Sequence, residues 1–599
     1  MGKNGIGAFF QSDAKFGVQD ITATLNGDVY GGAVYGIGVL IDGGHVNTIN
    51  LHGLTTAASL LAIEGTGGDD TINSYVGVYG DVDLGTGSNA FNNFEHSTFT
   101  TLDYVRLNGG LLTNMGTITP GGANAVQGTR LAGDYLQGAG GTYDFDLDLK
   151  FTGKAGEADR LAATGKAQLN GQYVLNIMDP DHALPGGHAA TIISADSGLT
   201  ASNLNLVAPA SLVARFDLIQ LSHELDIHYG IDFSPDDIGL NPNQRAVGDH
   251  INAIQTAGSP AFGPIAAQLF FVSSPAILKA DYNSFMPEAY ADQIAAAYLA
   301  TERFSDSMMS CPLASGRVHF NDRGCVWTRA TGTWLGLKAT PNNQGFTEQS
   351  AGVAGGVEAR VTDHLRLGYA LSAETVTGGM GLRSDAHGGR YQGGVVAKGA
   401  WGDGWGVDLA AAFGTEKLST SRTVLAPQQA FTAIGRQRVT WQAYTGRVSR
   451  TWKSNGVYAK PMFEVGYARV RNGALNETGA GPLSLTAPAQ TQTETRISPK
   501  LELGAEGVHG QFAYRPYVRG GFTRVLDGDA PLFAAAFAGA PAGVGTFPAA
   551  AKLDRMTADA EAGVSVVGPN GASAKLGWFG QFGKRTNEQG LALKFTLPF

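Results

Sequence analysis

Two cysteines, a histidine pair and a few acidic clusters are the residues of this 599-residue chain that could carry chemistry. His223 and His228 frame the stretch HELDIH, which has one residue more between its histidines than a zinc-protease motif. On a strand, residues five apart point to opposite faces, so this pair would not share a metal. In Tyr143-Asp144-Phe145-Asp146-Leu147-Asp148-Leu149, apolar and acidic residues alternate and the aspartates share one face. That face reads as a solvated strand surface, with a calcium site as the alternative. Gly67-Gly68-Asp69-Asp70 has the makings of a calcium loop but occurs once, and a turn explains it better. No G-x-S-x-G elbow, Walker loop or Rossmann fingerprint occurs, so no enzyme, cofactor or metal is expected. Cys311 and Cys325 lie close in sequence without metal-ligand spacing. They are a candidate disulfide closing one small loop in an oxidising compartment; two unpaired thiols are the alternative.

The elements that would position such residues are β-rich. Glycine numbers 85, charged residues make up 16% and hydrophobic residues 43%, a content that excludes general disorder. No stretch approaches the ~20 uninterrupted apolar residues of a membrane helix, so a membrane role needs a β-barrel. Residues 1–240 carry 9 Lys+Arg against 26 Asp+Glu, whereas 241–599 carry 33 against 26. An acidic first part excludes nucleic acid as its partner, because phosphates need clustered Lys and Arg. The start, MGKNGIGAFFQSDAKF, lacks the apolar core of a secretion signal, so no signal peptide is read in this sequence.

From Asn26 to about Asn93, short apolar patches are broken by glycine and turn residues, which suits a parallel β-solenoid. From Phe94 to Leu240 the strands lengthen, as in TLDYVRLNGGLLTNMGTITPGG. After Leu240 the texture turns alanine-rich, and Pro287 followed by Glu288 predicts a helix over about 288–309. That helix would be ~33 Å long, and it is too polar for lipid yet slim enough for a wet pore. From Cys325 onward the period is two. Leu591, Leu593, Phe595, Leu597 and Phe599 share one face of the last strand, with Lys594 and Thr596 on the other. Segments of ~10 residues with one apolar and one polar face are a transmembrane-barrel pattern. Twelve are expected, starting near 326, 349, 365, 390, 405, 436, 456, 495, 512, 553, 571 and 590. Turns are expected to be short at Asp403-Gly404 and Asn570-Gly571, and long over 416–435, 472–492 and 526–552. Alternation alone makes Arg366, Asp408, Lys460, Glu464, Lys500, Glu502, Arg515, Arg519, Lys575 and Lys594 the pore-lining candidates.

This order of parts resembles the autotransporters of Gram-negative bacteria (type V secretion). The stretch from NFEHSTFTTLDYVRL through ADRLAATGKAQLNGQYVLNI is similar to a pertactin-like passenger C-terminus with its autochaperone region. NPNQRAVGDHINAI and MPEAYADQIAAAYLATERF are similar to the linker, and Trp327 through LALKFTLPF to the barrel domain. The resemblance implies an all-β chain in three parts. Residues 1–240 would be a parallel β-solenoid (β-helix) passenger portion, autochaperone-like over about 94–240. Residues 241–310 would be a helical linker, and 326–599 a twelve-stranded antiparallel outer-membrane barrel. It implies a barrel in outer-membrane lipid that exports and displays its own passenger at the cell surface, as an adhesin or virulence-type protein with an unknown host or cell-surface ligand. The alternative is an outer-membrane pore for small solutes with a periplasmic N-terminal domain. Implied partners are periplasmic chaperones and the barrel-assembly machinery, which would read Phe595, Leu597 and Phe599; the barrel would be monomeric. Cys311 and Cys325 would bracket the turn from helix to first strand. No dependable Asn-Asn cleavage site is read within the barrel, so the passenger would stay attached. An exposed aromatic or Asn/Thr ladder along the passenger would favour a binding role.

Overall fold

The structure, a computed structural model, describes residues 3–12, 15, 17–154, 156–310, 324–381, 383–401, 404–426, 429–528 and 531–599. The chain forms two compact units, Met1–Pro235 with Gln255–Pro275, and Asp236–Ile254 with Ala276–Phe599.

The N-terminal unit is a sheet in which most neighbours run parallel. Each strand pairs with the one that the chain lays down a turn later: Ile49 with Ile72, Ile72 with Phe91, Phe91 with Leu112. Those four side chains are fully buried, so one apolar column forms the core that each single strand would leave wet. Polar residues at neighbouring positions also stack. Asn73 donates to Asn50 at 2.9 Å and Asn92 to Asn73 at 2.9 Å, each amide satisfying the next. The rings of His52, Tyr75 and Phe94 stack beside them at 4.4 and 4.7 Å. The last strands are antiparallel, Glu224–Ile231 pairing with Gly186–Ala195 and with Ala214–Gln220.

Two expectations need correction here. The aspartates of 144–148 do not form a solvated face: Asp146 and Asp148 are buried. Backbone amides of Ala125 and Lys150 donate to them at 2.8 and 2.9 Å, and Asn176 donates to Asp144 at 2.7 Å. The carboxylates replace missing backbone acceptors, which is why polar residues tolerate burial there. No group of three or more His, Cys, Asp or Glu among the described residues could hold a metal. The second correction concerns 416–435, noted below.

Four helices follow: α1 (Pro242–Ala257), α2 (Gly263–Phe270), α3 (Pro275–Phe285) and α4 (Glu288–Met308). No described helix is long and apolar enough to cross a membrane.

The barrel comprises β1 (Gly324–Leu337), β2 (Phe346–Arg360), β3 (Leu365–Gly379), β4 (Ser384–Trp401), β5 (Trp405–Ala426) and β6 (Gln429–Arg450). It continues with β7 (Val457–Asn472), β8 (Gln490–Ala505), β9 (Phe512–Asp527), β10 (Met556–Val567), β11 (Ser573–Phe582) and β12 (Thr586–Pro598). Every strand pairs antiparallel with its successor, and β12 returns to β1, with Thr596 opposite Trp327. Closure removes the free edges that an open sheet would expose to lipid. At the seam Phe599 donates its N–H to the Gly324 carbonyl at 3.1 Å, and its ring covers that glycine. A Cβ at position 324 would stand 2.7 Å from the ring, so the close fit requires glycine.

The described residues of 416–435, 416–426 and 429–435, are not a long loop. They continue β5 and β6 as a paired hairpin up to Ala426 opposite Gln429. Each of these strands has 22 residues, about twice the ~9–11 that a membrane needs, so the hairpin runs on beyond the bilayer. The segments 472–492 and 526–552 carry short strands, Leu475–Asn476, Leu485–Ala487, Leu532–Phe537 and Phe547–Ala550, that form a small sheet of their own. Gly571 has φ +76, as a tight turn requires; Asp403 lies outside the described residues.

Candidate functional site in the barrel lumen

The two faces of each barrel strand differ in kind. On β5, Trp405, Leu409 and Phe413 are exposed on the outside, while Asp408, Ala410, Ala412 and Glu416 are buried inside. On β12, Leu591, Leu593, Phe595 and Leu597 are exposed and Glu588, Lys594 and Thr596 buried. The apolar face belongs to hydrocarbon and the polar one to the lumen.

The lumen is filled by α4. All its residues except Glu302, Arg303 and Asp306 are buried, although it carries Asp292, Gln293 and several alanines rather than a broad apolar stripe. Burial of such a helix is possible because the wall supplies partners around its circumference. Asp306 pairs with Arg447 of β6 and, at 3.5 Å, with Arg519 of β9. Glu302 faces Arg496 at 3.6 Å and Lys500 at 3.9 Å, both on β8. Arg303 pairs with Glu588 of β12, and Gln293 donates to Thr420 of β5 at 2.9 Å. Near the helix start Arg585 reaches Asp292 at 3.1 Å and Glu288 at 3.9 Å. There, too, Tyr290 donates to Glu477 at 2.7 Å, a carboxylate already paired with Arg422 at 2.8 Å. The helix carries four acidic residues and one basic residue, Arg303, and each is met by a partner of the opposite sign.

Small residues on the wall set the distance. A Cβ at Gly394 would meet Met308 Sδ at 2.6 Å, and one at Gly435 would collide with the Tyr290 hydroxyl. The glycine and alanine of the inner face are therefore space for the helix, not slack. On the side of β8–β12 a cavity of about 120 Å³ remains, lined by charged residues of both signs. It is polar and large enough for several waters.

Each of the ten candidates named from alternation falls on the inner parity of its strand. Five of them are in contact with opposite charges. Glu464 contacts Lys500 at 3.4 Å, Glu502 contacts Arg519 at 2.8 Å, Arg519 contacts Glu561 at 2.9 Å, and Glu561 contacts Lys575 at 3.4 Å. Lys460 lies opposite Glu502 in the register. Arg515 sits apart, 3.5 Å from Glu506, and Lys594 donates to Ser310 at 2.6 Å beneath the Trp327 ring. Arg366 and Asp408 lie across the lumen, both in register with Lys398. Alternation missed the most buried cluster: Arg390 contacts Glu348 and Glu416 at 2.8 Å and Glu374 at 3.2 Å, joining β2 to β5. It also missed Arg447, Arg496 and Glu588. The same parity rule applies to all of these; for Arg390, Glu348 and Glu374, small residues on both faces of β2–β4 blur it. Cys325 is buried at the start of β1. The proposed partner Cys311 lies outside the described residues. Phe595, Leu597 and Phe599 are exposed on the outer wall.

Beyond the strands, α1 docks on the small sheet. Asn243 exchanges two hydrogen bonds with the Ala550 backbone, both 3.1 Å, and His250 sits between the rings of Phe537 and Phe547. Burial there pushes its imidazole down to about 4, and the Phe537 N–H donates to its Nε2 at 3.4 Å.

Residues 326–578 match the family model "Autotransporter beta-domain". The closed barrel is an autotransporter β-domain. Its place is the outer membrane, with assembly by the machinery that inserts such barrels and with the passenger outside. A curated relative is the "Extracellular serine protease" of Serratia marcescens, 24% identical over 193 residues, or 32% of this chain. The chain spans 18% of that protein's length. Among solved structures, the translocator domain of the autotransporter NalP from Neisseria meningitidis is 14% identical, with a TM-score of 0.43. It covers 52% of this chain and all of that one. The transport unit of AIDA-I from Escherichia coli is 12% identical with a TM-score of 0.32, covering 50% of this chain and 98% of that one.

Proposed function

We propose that this autotransporter exports and displays its own N-terminal unit, a β-solenoid passenger of about residues 1–240, and that the passenger stays attached through α4. The observation that carries this reading is the fit of α4 in the lumen: a polar helix, continuous with the passenger's linker, is met by opposite charges on four strands and by a hydrogen-bonding threonine on a fifth. A pore for small solutes has no use for such a filling. Phe595, Leu597 and Phe599 would form the part of the chain that the assembly machinery reads, on an exposed apolar face at the seam. Passenger folding outside gives direction to export, since each new strand buries its apolar column only once its neighbour exists.

A binding role for the passenger, as in an adhesin, is supported by the half-exposed amide ladder of Asn50, Asn73 and Asn92. Amides bonded along a stack keep spare donors and acceptors in a fixed row, a template for a repetitive polar ligand. The test is protease shaving of intact Gram-negative cells that produce the chain behind a supplied secretion signal, with a tag near residue 20. Loss of the tag with survival of a membrane-embedded fragment of about barrel size is expected. A tag that is digested only after the outer membrane is opened would replace this reading with the periplasmic one.

A further inference from the structure

On the outer wall, the cation that ends β6 has aromatic neighbours and no counter-charge among the described residues. Arg450 ends β6 on the lipid-facing parity, in line with Tyr444 and Val448, which are exposed. In the register it stands opposite Trp405, and Trp405 opposite Trp401. Its guanidinium lies over the rings of Trp405 at 5.2 Å and Trp452 at 5.5 Å. All three indoles are exposed. Among the described residues, no carboxylate pairs with Arg450, and its Nε–H is withdrawn from solvent without an acceptor.

Position decides what kind of ligand this arrangement fits. Trp401, Trp405 and Arg450 lie at the end of the barrel where β1 begins and β12 ends, the rim that faces the periplasm in single-chain barrels. Tryptophan marks the depth of lipid headgroups, and the apolar column above Arg450 marks the hydrocarbon. A planar cation with an unused donor at that depth meets phosphodiesters of the adjoining leaflet.

We propose that Trp405, Arg450 and Trp452 form a binding site for the phosphate headgroup of a glycerophospholipid in the periplasmic leaflet. The indoles hold the guanidinium plane and the glycerol backbone, while Arg450 donates to the phosphate oxygens. The site rests on the outer-membrane placement of the barrel and is independent of what the passenger binds.

The test is native mass spectrometry of the full chain in mild detergent, titrated with dipalmitoyl-phosphatidylglycerol, with dipalmitoylglycerol of the same tails, and with inorganic phosphate as competitor. One phosphatidylglycerol retained per chain is expected, with dipalmitoylglycerol failing to replace it and phosphate failing to displace it. Arg450→Gln should weaken retention about tenfold, the loss of one charge-assisted contact. Arg450→Lys should fall between, keeping charge but losing the stacked fork. Heat-modifiable mobility on gels checks that each variant is folded, and Trp452→Leu provides a second lesion should Arg450→Gln not assemble. Equal retention by wild type, Arg450→Gln and Trp452→Leu would overturn the proposal. So would equal binding of dipalmitoylglycerol, which would mean that only the tails are held, or displacement by inorganic phosphate, which would mean a free-anion site.

Discussion

Replacing Asp306 by asparagine removes the one carboxylate that α4 sets between two guanidiniums. Stripping one partner from a buried ion pair costs about 3–5 kcal/mol, because the remaining charge is left uncompensated. Here neither arginine is stranded: Arg447 keeps Glu464 at 2.8 Å, and Arg519 keeps Glu502 at 2.8 Å and Glu561 at 2.9 Å. The expected loss in seating of α4 is therefore smaller, about 2–3 kcal/mol, or roughly a 27- to 140-fold shift towards an unseated helix at 1.4 kcal/mol per tenfold. Arg303→Gln should cost more, in the full 3–5 kcal/mol range, since Arg303 is the one described cation in ion-pair contact with Glu588. The assay is single-channel recording of the full chain in planar bilayers, where an unseated helix opens the lumen to ions. Open time should rise in the order wild type, Asp306→Asn, Arg303→Gln, with heat-modifiable mobility preserved. Equal open times for all three, in folded protein, would refute the idea that ion pairs hold the helix. The reverse order would refute the argument from residual partners.

Three further outcomes follow from the geometry. Gly394→Leu places side-chain atoms where Met308 Sδ stands and should likewise raise open time, whereas Gly520→Ala, with open space at its Cβ, should not; channel recording separates them. His250, held down to about 4, binds its proton more weakly in its aromatic slot than at its ordinary value of 6.5. Docking of α1 is then most stable above about pH 6.5 and loses up to about 3 kcal/mol as pH falls through 4. Amide exchange of α1 should accelerate over that window, and His250→Phe should flatten the dependence. Phe599→Ala uncovers Gly324 and removes the last exposed ring at the seam; slower appearance of heat-resistant barrel in pulse-chase is expected, with a normal rate counting against a role in closure.

The barrel was legible because a lipid-facing row must be apolar at every second residue. The strands of the last third show it plainly: Leu591 to Phe599 needs no structure to be read. α4 was legible from Pro287 and Glu288 at its start and a run without glycine. The hairpin of 416–435 was misread because Thr, Ser and Ala alternate there without a strong apolar row, as a strand beyond the bilayer can afford. The small sheet over 475–550 was hidden for the same reason, its strands being two to six residues long. Aspartates 146 and 148 misled because a period of two reports which residues share a face, not whether water reaches it. Arg390 with its three glutamates was invisible as a cluster, since their meeting depends on the register of four strands.

The mixed signs of the lumen wall have one more consequence. A lumen wall of interleaved positive and negative groups is a polyampholyte surface, with no broad field of either sign. A strongly acidic chain, such as residues 1–240, would be held fast by a uniformly basic channel and repelled by an acidic one. On the proposed export route, a patchwork would cancel each local attraction a few ångströms later and let the chain slide. Only a segment whose own charges repeat the wall's spacing would come to rest, so the proposed route would have its stopping point written in sequence as a pattern match, with no latch required.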